Sequence, residues 1–222
     1  NTALVIAGSI IGLVLRRSIP DRINKIIMVG LGLFTCVLGV KMSIGMERPL
    51  VVILSVILGG VCGELLRIED RLEGLGERLK RLTRARGEGS FVQGFVFASL
   101  LFCVGPMTIL GSIQAGIQNN PELLFVKSLM DGVSSIILAS TLGLGVLFSA
   151  ATVLVIQGGL TLLARQISFL TAPAYLNDFT AVGGIMILAI GLKLLDIKLI
   201  KVGNLLPALV VVLLLTYFLR LF

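Results

Sequence analysis

The sequence predicts an all-α membrane protein: one polytopic transmembrane helical bundle over residues 1–222, with eight spans and seven as the nearest alternative count. Three observations lead there. Hydrophobic residues make up 56% of the chain and charged residues 14%, whereas a soluble domain carries about a quarter charged residues. Several apolar runs approach the ~20 residues needed to cross a hydrocarbon layer of ~30 Å. Lysine and arginine gather at the ends of these runs, as the positive-inside rule requires.

Span one covers residues 2–15 and is short. The chain starts at Asn1, without Met, and enters this run at once, as if a few residues had been trimmed. Span two covers 26–46 with Lys41 near its end, span three 49–66, and span four 91–117 with no formal charge. The stretch 122–165 would be about 66 Å long as a helix, at ~1.5 Å per residue, which is too long for one crossing. The glycines of Gly143-Leu144-Gly145 permit a tight reversal, giving span five (122–143) and span six (147–165). Span seven covers 179–195 and span eight 203–219.

With this order, the loops after spans one, three and seven and their edges hold fourteen basic residues, among them Arg16, Arg22, Arg71, Arg78, Lys193 and Lys201. The other side holds five: Lys41, Arg48, Lys127, Arg165 and Arg220. The basic loops are therefore expected in the cytoplasm and both termini outside. The longest loop, 67–90, is an amphipathic, arginine-rich linker. Leu65, Ile68, Leu72, Leu75, Leu79 and Leu82 form one stripe on a helix. Such a helix lies at the headgroup layer of the lipid bilayer. The alternative is pairing with its copy in a homodimer, because the spacing is heptad-like.

Span two, "GLFTCVLGVKM" (32–42), and span seven, "GIMILAIGLKL" (184–194), share Gly, six apolar or small residues, Gly, apolar, Lys, apolar. Span two runs outward and span seven inward. This suggests an inverted-topology repeat of spans one to three and six to eight, the arrangement of many secondary transporters. Chance is the alternative, because glycine and leucine abound in all membrane helices.

Polar residues at membrane depth carry the functional reading. In "FCVGPMTILGSIQAG" (102–116), Pro106 removes a backbone donor and Gly105 adds freedom, so span four is expected to break there. Thr108, Ser112 and Gln114 follow the break. Span five carries Lys127 and Asp131 at i, i+4, which places them on one face. Gly132, Ser134 and Ser135 adjoin the carboxylate. A central Asp costs ~2.5–3.5 kcal/mol on insertion scales and is a functional candidate by default. An interfacial Lys–Asp pair near the outer headgroups is the plainer alternative. Gln157 with Thr161, Asn204, Pro207, Glu64, Lys41 and Lys193 are weaker signals, with the lysines able to snorkel.

No histidine is present, which excludes a histidine-based metal site or catalytic dyad. Cys36, Cys62 and Cys103 sit in apolar runs without metal-ligand spacing and are expected to be buried, inert thiols. No Gly-x-x-x-x-Gly-Lys-Ser/Thr string occurs, so nucleotide hydrolysis is disfavoured. No cofactor, nucleic-acid partner or enzyme activity is expected.

The segments "GPMTILGSIQAG" (105–116), "KSLMDGVSSIILASTLGLGVLFSA" (127–150), "QGGLTLLA" (157–164) and "IKVGNLLPALVVV" (200–212) together resemble the YdfK/YqgA-like bacterial inner-membrane proteins, a family of unknown function. The Lys-Ser-Leu-x-Asp-Gly-x-Ser-Ser string is the most specific part, and the resemblance spans nearly the whole chain. It implies a bacterial multi-pass protein of the inner membrane. The family pattern carries asparagine where this chain has Lys193, which argues against Lys193 as a site residue.

The function expected is a secondary transporter or channel for a small polar or cationic solute. Asp131 would hold the cation, with Lys127 beside it and Ser134, Ser135, Thr108, Ser112 and Gln114 near the Gly105-Pro106 break as neutral ligands. A membrane scaffold or assembly protein without transport activity is the alternative.

Overall fold

Proline, glycine and left-handed residues set most helix boundaries in the computed structural model, which describes residues 1–16, 20–82 and 91–219. Among these residues every regular element is helical: α1 (Thr2–Arg16), α2 (Asp21–Ile44), α3 (Pro49–Leu65), α4 (Ile68–Leu82), α5 (Phe91–Cys103), α6 (Pro106–Gln118), α7 (Glu122–Leu142), α8 (Leu144–Leu162), α9 (Pro173–Leu194) and α10 (Ala208–Phe218), with a 3₁₀ turn at Val202–Leu205 before the last. Pro49, Pro106 and Pro173 open their helices at positions where the missing N–H costs nothing. Asn119 closes α6 in the left-handed conformation. Gly143, at φ 80°, is the one residue between α7 and α8, so the reversal predicted there is present.

Span four breaks where its sequence predicts. α5 and α6 meet at a bend of 55°. Pro106 cannot donate to the carbonyl of Phe102 four residues earlier, and the Thr108 hydroxyl donates to that carbonyl instead at 2.9 Å. The break is thus satisfied from within the chain, as a low-dielectric setting demands. A second bend, of 53°, separates α3 from α4 at Leu66-Arg67, where Arg67 has φ 49°. The linker helix expected over 67–90 is α4; residues 83–90 lie outside those described.

Two expectations are corrected. Span seven starts at Pro173 rather than 179, because the polar turn Tyr175, Asn177 and Asp178 is helical and partly buried, which hydropathy alone does not signal. Of the three thiols expected to be buried, only Cys103 is; Cys36 is half-buried and Cys62 exposed, since Cys62 faces away from the protein interior on α3.

Among the described residues, four helical segments are individually long and apolar enough to cross a membrane: Lys25–Ile44, α7, α8 and α9; six result if each bent pair counts as one. α1 and the segment Val202–Phe218 are shorter apolar helices. Large apolar side chains such as Val14, Val37, Ile57, Phe125, Val133 and Val155 are exposed. Apolar surface on this scale marks a face made for lipid or another protein.

The chain forms two units: Asn1–Ile27 with Glu73–Ser168, and Met28–Leu72 with Phe169–Phe222. In the first, α1 packs parallel to α7. Gly8 meets Gly132 and Ser135, and Gly12 meets Ile136 and Ala139, so closely that any side chain on either glycine would collide. α5 and α6 run parallel to α8: Gly145 lies against Phe91 and Phe95, Ser99 donates to Thr152 at 3.1 Å, and Gly116 lies against Thr161 and Ala164. The core there is formed by Phe97, Leu100, Phe102, Leu138, Val146 and Val153.

In the second unit, α2 and α9 are antiparallel and meet through glycines. Gly39 faces the carbonyl of Gly184 and the backbone of Leu188, while Gly191 faces the carbonyl of Gly32 and the backbone of Cys36. Gly184 also meets Met42 and Ser43, and Gly32 meets Leu194 and Leu195. Each contact set is the other with the two helices exchanged. α3 and α10 pack antiparallel, with Gly59 against Ala208 and Gly63 against Asn204.

Candidate functional site

Asp131 and Lys127 fall one helical turn apart on α7, and both are buried, at 5% and 8% exposure. The Lys127 ammonium donates to Asp131 Oδ1 at 3.0 Å. The other carboxylate oxygen, Oδ2, accepts from Asn1 Nδ2 at 2.7 Å. The same Asn1 nitrogen also donates to Gln157 Oε1 on α8 at 3.1 Å. Four polar side chains from the start of α1, from α7 and from α8 therefore converge inside the first unit. Gly8 and Gly132 make the convergence possible: α1 must approach α7 this closely for Asn1 to reach a carboxylate on its face.

The cluster is not saturated. Asn1 Oδ1 and Gln157 Nε2 are buried without a hydrogen-bond partner, as are the hydroxyls of Ser112 on α6 and Ser9 on α1. Buried polar atoms are normally paired, because an unmade hydrogen bond costs about 1–3 kcal/mol. Here one acceptor and one donor stand beside a buried carboxylate with spare capacity. That is what a small polar or cationic guest needs.

The residues predicted from the sequence divide clearly. Asp131 and Lys127 are together. Ser112 is fully buried and unpartnered. Ser134 and Gln114 are half-buried on their helices. Thr108 closes the break at Pro106, and Ser135 donates to the Gly132 carbonyl at 2.7 Å while packing against Gly8, so both hydroxyls serve backbone. Gly105 is extended, with open space where a side chain would stand. Sequence reasoning missed Asn1 altogether and ranked Gln157 low. An amide in the middle of the apolar span 147–165 was the available signal.

Among the described residues, the second unit holds two more buried carboxylates, engaged differently. Asp178 on α9 is fully buried and accepts from the backbone N–H groups of Glu47 and Arg48, at 3.0 and 3.1 Å, and from Arg48 Nε at 3.0 Å. It thereby caps the start of α3, which has no side-chain cap of its own. Glu69 on α4 accepts from the Gly203 N–H at 2.6 Å and from Lys193 Nζ at 3.1 Å, and its own N–H donates to Asn204 Oδ1 at 2.7 Å. Asn204 also donates to Glu64 at 2.6 Å. Lys193, expected to snorkel, is instead held by Glu69. Asp178 grips the loop that opens α3, and Glu69 grips the turn that precedes α10. They are clasps. Among the described residues no cluster of three or more His, Cys, Asp or Glu could hold a metal ion.

Comparison with known proteins places this architecture. The model of a family described as "Protein of unknown function (DUF554)" matches residues 1–217. The chain belongs to this family. It is 33% identical over 215 residues to "Uncharacterized membrane protein YdfK" of Bacillus subtilis (strain 168), covering 95% of this chain and 91% of that one. It is 32% identical over 213 residues to "Uncharacterized protein YqgA" of Escherichia coli (strain K12), covering 94% of this chain and 91% of that one. No solved structure matches. The resemblance seen in the four sequence segments is thus borne out, and a membrane location follows from the named relative and the apolar helices together. All four cluster residues lie within the matched range of this DUF554 chain.

Proposed function

We propose that this chain is a multi-pass transporter or channel of the bacterial inner membrane that carries a small polar or cationic solute through a site at Asp131. The observation that carries the reading is the unsaturated cluster: a buried carboxylate held by side chains alone, beside the unpartnered Asn1 Oδ1 and Gln157 Nε2. An ionisable group at membrane depth is a functional-site candidate by default. No catalytic chemistry is assigned to the chain.

Helix directions support eight crossings. If each bent pair is one span and α1 and Val202–Phe218 are spans, an alternating chain makes α1 parallel to α7, and α5–α6 parallel to α8. It also makes α2 antiparallel to α9, and α3 antiparallel to α10. The glycine contacts within each unit have these directions. The exchanged contacts of α2 and α9 likewise support an inverted repeat in which α2–α3 corresponds to α9–α10, the architecture of many secondary transporters.

The test is a panel of polar and cationic solutes scored by thermal shift on detergent-purified protein, then by uptake into proteoliposomes. A solute that binds the folded state stabilises it by RT ln(1 + [L]/Kd), so millimolar binders register at high concentration. At least one cationic or polar solute is expected to stabilise the wild type and leave Asp131→Asn unmoved. A panel that moves neither protein, with one partner protein co-purifying in fixed ratio, would replace this reading with a membrane scaffold.

A further inference from the structure

We propose that the Lys127 ammonium is a tethered stand-in for the solute, so that the Asp131 site takes small primary-ammonium ions (RNH3⁺) in exchange for Lys127. This inference rests on the reading of Asp131 as a solute site and narrows it to one chemical class and one means of regulation.

The site already holds such an ion. Lys127 Nζ sits 3.0 Å from Asp131 Oδ1, in a position where both side chains are about nine-tenths buried. An ammonium has three donors, and among the described residues the Lys127 ammonium donates to one acceptor, Asp131 Oδ1. Asn1 Oδ1, an acceptor bonded to the same side chain whose nitrogen holds Asp131 Oδ2, is buried and unfilled. An untethered ammonium can turn to use both. The tethered one is limited by its stem, which reaches Asp131 from one turn away on the same helix.

Exchange also requires somewhere for Lys127 to go. Lys127 lies five residues after Glu122, the first residue of α7, about 8 Å along the axis at ~1.5 Å per residue. Residues 116–122 are exposed. A four-carbon stem can carry its ammonium most of that way, which is ordinary snorkelling. The clasps of the second unit have no such route: Asp178 is bound by two backbone N–H groups, which cannot leave without unwinding the start of α3. In the exchange, Lys127 leaves Asp131 and an incoming RNH3⁺ takes its place, so the buried charge stays balanced throughout. An empty carboxylate at that depth is never required.

The experiment is chemical rescue on the full chain in detergent, with ethylammonium chloride as probe and tetramethylammonium and sodium chlorides at equal ionic strength as controls. Lys127→Ala is expected to melt several degrees below wild type. Ethylammonium should restore it, with an apparent affinity at least tenfold above that for the wild type, because the built-in competitor is gone. Tetramethylammonium, which has no N–H, should not. The double variant Asp131→Asn with Lys127→Ala should respond to neither. Lys127→Gln supplies a second background if the alanine variant fails to fold, with the same tenfold expectation. Ethylammonium that stabilises these variants no better than the wild type, or variants that stay unfolded even in its presence, would overturn the exchange. If Asp131→Asn still abolishes the response to some other solute, transport at Asp131 stands and only the ammonium exchange falls.

Discussion

Asp131 in the first unit and Asp178 in the second are both buried carboxylates paired with a basic side chain, yet they are built for different work. Asp178 spends its oxygens on two backbone N–H groups and the Arg48 guanidinium. Its partners are fixed by the fold, so the carboxylate completes a helix start and has nothing left to offer. Asp131 is held only by the ends of two side chains, Lys127 and Asn1, and its neighbourhood contains polar atoms without partners. The difference teaches how to read a buried charge: not by its burial or its ion pair, but by whether its partners can leave and whether its surroundings are saturated.

That contrast can be broken by substitution. The largest effect is expected from Asp178→Ala, which leaves two backbone donors and Arg48 Nε without their acceptor. Removing one partner of a buried pair costs about 3–5 kcal/mol, on the order of 10 °C in melting temperature for a chain of this size. A detergent melting curve checks it, and a shift no larger than that of Asp131→Asn would erase the distinction between clasp and site. Glu69→Gln should cost less, about 1–2 kcal/mol, because the amide oxygen still accepts from Gly203 while the half-buried Lys193 ammonium loses its carboxylate partner.

Gly39→Ala and Gly191→Ala should each cost about 1–3 kcal/mol through overpacking. Because their contacts are exchanged copies, the two melting shifts should agree closely; a clear inequality would weaken the repeat. The smallest stability effect is expected from Asp131→Asn, under about 1 kcal/mol, since Lys127 is free to snorkel and a neutral amide costs less in an apolar setting than a carboxylate. The same variant should lose all solute response in the thermal-shift panel. Retained response would remove Asp131 from the site.

The backbone breaks were legible in the sequence because their causes are local. Gly105-Pro106 breaks span four, Gly143 reverses the chain, and Pro207 precedes α10, each through its own dihedral or missing donor. The Lys127–Asp131 pair was legible for the same reason, being one turn apart on one helix. Asn1 and Gln157 were not legible as site residues, since Asn1 reaches Asp131 from 130 positions away, and Gln157 joins only through Asn1, once three helices pack. Asp178 was missed because it stands just before the apolar run that defines span seven, where charge reads as a loop. Glu69 was hidden in the charged face of the linker, and only the approach of Gly203 makes it a buried group.

The one-residue joint at Gly143 bears on how the polar helix enters the bilayer at all. If α7 is a membrane span, Asp131 lies near its centre, where an Asp opposes insertion by ~2.5–3.5 kcal/mol. α8 follows after a single residue, is free of charged residues, and is rich in Leu, Val and Ile, each of which favours insertion by roughly 0.3–0.6 kcal/mol. With no slack between them, two spans so joined would partition as one hairpin, and the apolar member would offset the cost of the charged one.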